Sequence, residues 1–377
     1  MALAWIPGWQ ESDAPLPWNL VGVREHLERR LTQALSSGPT FVSFSGGRDS
    51  SALLAVAMHV SRKTGLPPPV PITAVHPGSA ETDESSWQQL VLDHLQITER
   101  IEIGMTDREG LLCPLAVDSL RVNGLIWPAA LHLLTPILTA ARGGTVITGE
   151  GGDEVLGARR VTPLSLLVRY RRRPDRSLLA DTGRALTPSW WQRRADARSI
   201  AQHHQSPWLT PSGVVEAAHA VAASRSSPLS YRRETLKLGR RRGPVVLQHN
   251  YRVMASRAGV QALHPFLEDR FLAELARDGG FWGYAGRTDV MRRLFSDVLP
   301  EELLSRSTKA HFTGTRFGQR ELEFARTWSG TGLDAGLVDP DRLRDHWLSG
   351  RPRGTSGLLM QAAWLADQAD LGGGQDR

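Results

Sequence analysis

Leu20, Val23, Leu27, Leu31 and Leu35 recur every three or four positions, with Arg24, Glu25, Glu28 and Arg29 between them. That spacing predicts an amphipathic helix over residues 18–36, closed by Ser36-Ser37-Gly38-Pro39. The period then shortens. Phe41-Val42-Ser43-Phe44 is a β-rich run, a glycine turn follows, and helical spacing resumes over residues 51–61. Leu66-Pro67-Pro68-Pro69 breaks the chain before a second strand at 71–76, a helix at 87–95 and a third strand at 99–103. A long apolar helix at 128–141 and a fourth strand at 144–148 complete the series. Strands alternating with helices predict an α/β fold, a twisted parallel sheet with helices on both faces. Beyond about residue 157 the strand signals stop, and residues 163–368 show helical periodicity interrupted by prolines. The expected organisation is an N-terminal segment and helix (1–38), an α/β core (39–160), a mainly helical region closing over the sheet (161–371) and a disordered tail (372–377).

Composition narrows the class. The 377 residues exceed what one hydrophobic core usually serves, and 41% hydrophobic with 22% charged residues is ordinary for a globular chain. No apolar run approaches a membrane span, and the first residues lack the basic and apolar stretches of an export signal, so a cytoplasmic location is expected. Cys113 is the only cysteine, which excludes an internal disulfide and any Cys-rich zinc or iron–sulfur site. The net charge of +6 is carried mostly by arginine, in clusters at 169–176, 232–233 and 240–242. Such clusters suit a polyanionic substrate, an acidic partner or nucleic acid, but a solvated basic face is the simpler reading. His203 and His204 lack a carboxylate or cysteine at ligand spacing and read as a loop; Trp190, Trp191, Trp208 and Trp282 read as packing residues.

Four segments carry candidate chemistry. Ser45-Gly46-Gly47-Arg48-Asp49-Ser50-Ser51 joins the first strand to a helix. Glycines admit a ligand close to the backbone, successive N–H groups at a helix start make an anion nest, and Asp49 can hold Mg²⁺ against phosphate oxygens. No Gly-Lys-Ser/Thr follows, so the loop is not a Walker A motif. Thr148-Gly149-Glu150-Gly151-Gly152-Asp153-Glu154 follows the fourth strand. Open parallel sheets bind ligands at the carboxyl ends of their strands, so both loops are expected in one crevice, with Asp49 and Asp153 on one magnesium ion. The other two are Leu299-Pro300-Glu301-Glu302-Leu303-Leu304-Ser305-Arg306-Ser307-Thr308-Lys309-Ala310-His311-Phe312 and His264-Pro265-Phe266-Leu267-Glu268-Asp269-Arg270.

Together these segments resemble the synthetase half of the asparagine-synthetase family, within the PP-loop ATP pyrophosphatases of adenine nucleotide alpha hydrolase-like fold. The first loop is similar to Ser-Gly-Gly-x-Asp-Ser, the second to Ser-Gly-Glu-Gly-x-Asp-Glu, and the third to a Leu-Pro-x-Glu segment leading to Arg-x-x-Lys and an aromatic. The His-Pro-x-Leu-x-Asp wording and the Thr-Lys-x-x-Phe-Thr form resemble lasso-peptide cyclases. The resemblance implies an ATP-dependent, AMP-forming carbon–nitrogen ligase that adenylates a carboxylate and passes the acyl group to an amine, in peptide or natural-product biosynthesis. ATP is then expected with its adenine near Ser43 and Val75, and with Thr148 and Gly149 near its ribose or base. Its pyrophosphate is expected against Ser45, Gly46, Gly47, Asp49, Ser50 and Ser51, with Mg²⁺ on Asp49 and Asp153. Lys309 matches the family's lysine that stabilises pyrophosphate departure and the later tetrahedral intermediate; Glu150 matches the family's glutamate at its position and is the candidate base for the attacking amine. Implied partners are a carboxylate and an amine, small molecules or peptides, with a partner or carrier protein possible; neither nucleic acid nor a membrane is expected.

The chain departs from the family in two ways. Gln261 and Leu263 stand where asparagine synthetases carry a Glu and an Arg, which suggests a different acid. The nucleotide loop is reached by residue 45 with no early cysteine, so glutamine hydrolysis is not expected. Ammonia-dependent amidation stays open, as do a tRNA-modifying enzyme of the same superfamily and a non-catalytic scaffold. Against the tRNA reading, the chain has no His-x-x-Asp-Asp segment after the third strand and no Cys-x-x-Cys.

Overall fold

The computed structural model describes residues 20–75, 84–106, 108–307 and 316–373. Its centre is a sheet of five parallel strands, β1 (Thr40–Ser43), β2 (Val70–Val75), β3 (Ile101–Gly104), β4 (Thr145–Ile147) and β5 (Gln261–Leu263), in the order β3-β2-β1-β4-β5. The chain starts in the middle, builds outward through β2 to β3, then returns to the other side of β1 with β4. The two strands whose connections leave in opposite directions are therefore neighbours, in the register Phe41 opposite Val146 and Val42 opposite Ile147. Loops diverge there and leave a crevice beyond the carboxyl ends of β1 and β4.

Helices cover both faces, as the alternation predicts. On one face Val23–Ser36, Arg48–Thr64 and Ser85–Leu95 pack with the downstream Phe266, Phe271, Phe295 and Leu303. The first shows the expected stripe: Val23, Leu27, Leu31 and Leu35 are buried, whereas Arg24 and Arg29 reach Glu28 and Glu25 one turn along. Arg48–Thr64 is apolar nearly all round because it lies between the sheet and other helices, and Gly65 ends it in the left-handed conformation. The opposite face is closed by Ile126, Leu131, Leu138, Tyr251 and Met254 against Ile72 and Val146. A separate apolar cluster of Leu111, Trp208, Trp328, Trp347 and Met360 lies within the helical additions.

Four expectations change. A fifth strand comes from the region read as mainly helical, where no strand was expected: Gln261–Leu263 is three residues long, and it pairs with β4 after Gly259 has ended the helix Arg242–Ala258. The long helix at 128–141 shrinks to a 3₁₀ turn at Leu131–Leu133 and a helix at Leu134–Ala140. Pro136 then falls in the first turn, where its missing N–H costs nothing. Trp208 is buried and Trp282 packs on the core, but Trp190 and Trp191 are exposed at 61% and 55%. The C-terminal helix Gly357–Gly373 runs through residues 372–373 of the expected disordered tail; 374–377 lie outside the described residues.

Candidate active site

The crevice is assembled from two loops that touch because both are glycine-rich. Loop 45–51 leaves β1 and turns at Gly46, whose φ of +82° belongs to the left-handed region and whose missing side chain lets the backbone lie against Gln88. The turn is tied internally. Ser45 N and Oγ each lie 3.2 Å from Ser50 Oγ, Gly47 N donates to Ser45 Oγ at 3.3 Å, and Ser50 Oγ donates to Gly47 O at 3.2 Å. The helix Arg48–Thr64 starts at once, and Gly47, Arg48, Asp49 and Ser50 at its start line the crevice, where the positive end of a helix favours an anion.

The second loop leaves β4 and packs directly on that helix start. A Cβ on Gly149 would lie 2.8 Å from Ser50 N, and one on Gly152 would lie 2.5 and 2.6 Å from the Asp49 carboxylate oxygens. Gly151 takes φ +83° against Leu267. The glycines are thus a packing requirement, and what they bring together is charge. Arg287, the first residue of the helix Arg287–Phe295, donates through Nη2 to both Asp49 oxygens at 2.7 Å and through Nη1 to Asp153 Oδ1. Asp49 and Asp153 therefore share one cation. Burial pushes the Asp49 carboxyl above its ordinary range, against the pull of Arg287. Burial also works against the Arg287 charge, but Asp49 and Asp153 outweigh it and hold the guanidinium protonated. Arg48 is pushed the other way, by burial and by Arg287.

Two further groups shape the crevice. Arg306 is buried; its guanidinium donates to Glu84 Oε2 and Oε1 at 2.6 and 2.5 Å and to Gly46 O at 3.3 Å, and it lies 4.6 Å from the Trp87 ring centre. It fastens the segment that begins at residue 299 onto the first loop. Under the second loop, Thr148 Oγ1 lies 2.7 Å from His264 Nδ1, and the His264 ring meets Tyr251 edge-on at 4.6 Å. Burial holds His264 down to about 4, so it is neutral at physiological pH. Tyr251 Oη and His264 Nε2 are buried with no hydrogen-bond partner among the described residues.

The resulting cavity holds about 580 Å³ and is lined by both loops together with Glu84, Leu134, Tyr251, Arg287, Arg306 and Ser307. Ser43, Ser45, Gly47, Asp49, Ser50, Thr148, Gly149, Glu150 and Asp153 all line it. Gly46 forms the turn behind the loop, Ser51 is fully buried beneath it, and Val75 is exposed at the end of β2 away from the lining. Lys309 lies outside the described residues; Ser307, two positions earlier, lines the cavity. Gln261 lies at the amino end of β5, at the opposite end of the sheet, and Leu263 is a buried strand residue that accepts from Thr148 N. Neither is among the described residues that line the crevice.

Sequence reasoning missed Arg287, Arg306, Glu84 and Tyr251. Of these, Arg306 alone carried a signal, as the Arg of the Arg-x-x-Lys wording. The two carboxylates fit a divalent cation in their donor type and in already bracketing a cation, the Arg287 guanidinium. No cluster of three or more metal-type side chains occurs among the described residues, so such an ion would complete its shell with phosphate oxygens and water.

An open parallel sheet whose switch point carries a helix start and two acidic glycine loops defines a nucleotide-binding α/β protein. The chain belongs to the asparagine synthase family, whose model matches residues 22–367. Enzymes of this family use ATP and fall in the ligase class, and that class is assigned to this protein. No curated protein matches the chain. No helix among the described residues is long and apolar enough to cross a membrane.

Proposed function

We propose that the protein is an AMP-forming amide synthetase, which activates a substrate carboxylate as its adenylate and passes the acyl group to an amine. The observation that carries this reading is the meeting of Asp49 and Asp153, from two distant glycine loops, on one cation at the switch point. The triphosphate would lie with its β- and γ-phosphates over loop 45–51 and the helix start, its adenine toward Ser43 and its ribose or base near Thr148 and Gly149, a placement supported by those residues lining one cavity. Asp49 and Asp153 would hold a magnesium ion, which when bound neutralises the pyrophosphate as it leaves.

In the first step a carboxylate oxygen of the acid attacks the α-phosphorus, and the bond from that phosphorus to the bridging oxygen breaks. The loop N–H groups and Lys309 stabilise the charge that gathers on the departing pyrophosphate. In the second step the amine nitrogen attacks the acyl carbon, AMP leaves with the carbon–oxygen electron pair, and Glu150 takes the proton the nitrogen must lose. The role of Lys309 is supported by the likeness of segment 299–312 to the family's Leu-Pro-x-Glu to Arg-x-x-Lys wording. That of Glu150 is supported by its place in the lining. A peptide or other natural-product acid, ligated or cyclised, is supported by the likeness of the His264-Pro265 and Thr308-Lys309 segments to lasso-peptide cyclases.

The test is product analysis with ATP, Mg²⁺, a panel of acids and peptides, and either an amine or ammonium. AMP and pyrophosphate formed in equal amounts with an amide support the reading. ADP and phosphate contradict it, and amide formed with ammonium alone moves the protein to simple amidation.

A further inference from the structure

Arg287 takes up the oxygens that a metal would need. Its Nη2 lies 2.7 Å from both carboxylate oxygens of Asp49, and its Nη1 donates to Asp153 Oδ1. The contact is enclosed: Asp49 and Arg287 side chains are 15% and 20% exposed. The arrangement is not one that local forces favour. Arg287 stands at the positive end of its own helix, near Arg48, whose charge it disfavours. What holds it there is the carboxylate pair. A guanidinium and a divalent cation cannot take the same lone pairs, so the two compete for one seat.

We infer that Arg287 is a built-in occupant of the cation site, so that the nucleotide-free protein binds divalent cations weakly and the metal enters together with the nucleotide. The inference rests on the proposed reading of Asp49 and Asp153 as the cation's ligands. Phosphate oxygens supply what makes the exchange favourable: they complete the metal's shell and offer the released guanidinium new acceptors. Without them, a divalent cation must displace a guanidinium that already pairs with both carboxylates, and gains only those two ligands in exchange. The consequence is a site that loads metal only weakly in the absence of triphosphate.

The experiment is Mn²⁺ binding to the whole chain, followed by paramagnetic resonance of the free ion, with and without ATP. The proteins are wild type, Arg287→Gln, Arg287→Lys, Asp49→Asn and Arg287→Gln with Asp49→Asn. Without nucleotide, Arg287→Gln should bind Mn²⁺ about tenfold tighter than wild type or better, since it removes the resident charge from both Asp49 oxygens. Asp49→Asn in that background should abolish the gain. Arg287→Lys keeps the charge but cannot fork across two carboxylates, so it should fall between the two; it carries the test should the glutamine variant not fold. Damage to the fold does not tighten metal binding, which separates this role from a merely structural one. Equal Mn²⁺ affinity of wild type and both Arg287 variants without ATP overturns the inference. If Asp49→Asn still weakens Mn²⁺ binding to the ATP complex in that case, the proposed function stands; if it has no effect there, the reading of the cation ligands fails and the inference with it.

Discussion

Gly152→Ala adds one methyl group at the point where the two loops meet. In this position the new carbon would lie 2.5 and 2.6 Å from the Asp49 oxygens, whereas ordinary van der Waals contact begins at 3.4 Å. Relief therefore needs a displacement of about 1 Å, either of the carboxylate or of the second loop. Asp49 cannot simply rotate away, because both its oxygens are engaged by Arg287 and its side chain is largely enclosed. The backbone is not the obstacle: Gly152 begins the short helix Gly152–Val155 at negative φ, where alanine is favoured over glycine by about 1 kcal/mol. That gain offsets part of a steric cost of about 1–3 kcal/mol, so in a chain of 377 residues the melting temperature should move by only about 1–3 °C. Catalysis is less forgiving, since a misplacement of about 1 Å at the reacting centre costs roughly 100-fold in rate. Pyrophosphate release at saturating ATP, with thermal melts on the same samples, measures both. Wild-type turnover by a folded Gly152→Ala variant would refute the claim that loop contact positions Asp49.

The same reasoning predicts the opposite at Gly183, inside the helix Arg176–Leu186, where an added Cβ meets nothing within 4 Å: Gly183→Ala should raise stability by up to about 1 kcal/mol in chemical denaturation and leave turnover alone. Glu84→Gln leaves the buried Arg306 charge without its carboxylate and should cost about 3 kcal/mol, most of which a second change, Arg306→Met, should restore; additive losses in that cycle would contradict the pairing. His132 and His264 are each held down to about 4 by burial, so the unfolded chain takes up protons that the folded one refuses. Stability from these two groups is complete above the unfolded value of about 6.5 and is lost as pH falls through the window toward 4, on the order of 3 kcal/mol for each. His264→Gln should flatten the slope of stability against pH across that window by close to one proton, and an unchanged slope would remove His264 from the account.

The parts of the fold legible in the sequence are those fixed by local pattern. The helix Val23–Ser36, strands β1 to β4 and the glycine turn after β1 each have their own periodicity or punctuation, and each is found within a few residues of its expected place. β5 was not legible because Gln261-Ala262-Leu263 has no β-branched residue and no alternation; it is a strand because β4 offers an edge beside it. The acidic loops were legible as chemistry because two of them follow strands of one predicted sheet; either alone reads equally well as a turn. Arg287 was not. It is 238 residues from Asp49 and 134 from Asp153, and Arg287-Thr288-Asp289 at a helix start reads like any solvated surface turn. Trp190 and Trp191 misled for the converse reason: aromatic content predicts burial on average, but the helix Ser189–Gln202 buries little besides Ala197.

The central claim is that two acidic glycine loops make one seat for a metal-bound triphosphate. A crystal structure of the chain with Mg²⁺ and an ATP analogue carrying methylene between its α- and β-phosphates addresses it most directly. The predicted result has one magnesium ion about 2.1 Å from an oxygen of Asp49 and of Asp153, with the β- and γ-phosphates against loop 45–51. A nucleotide bound away from the carboxyl ends of β1 and β4, or a metal touching neither aspartate, would contradict the account.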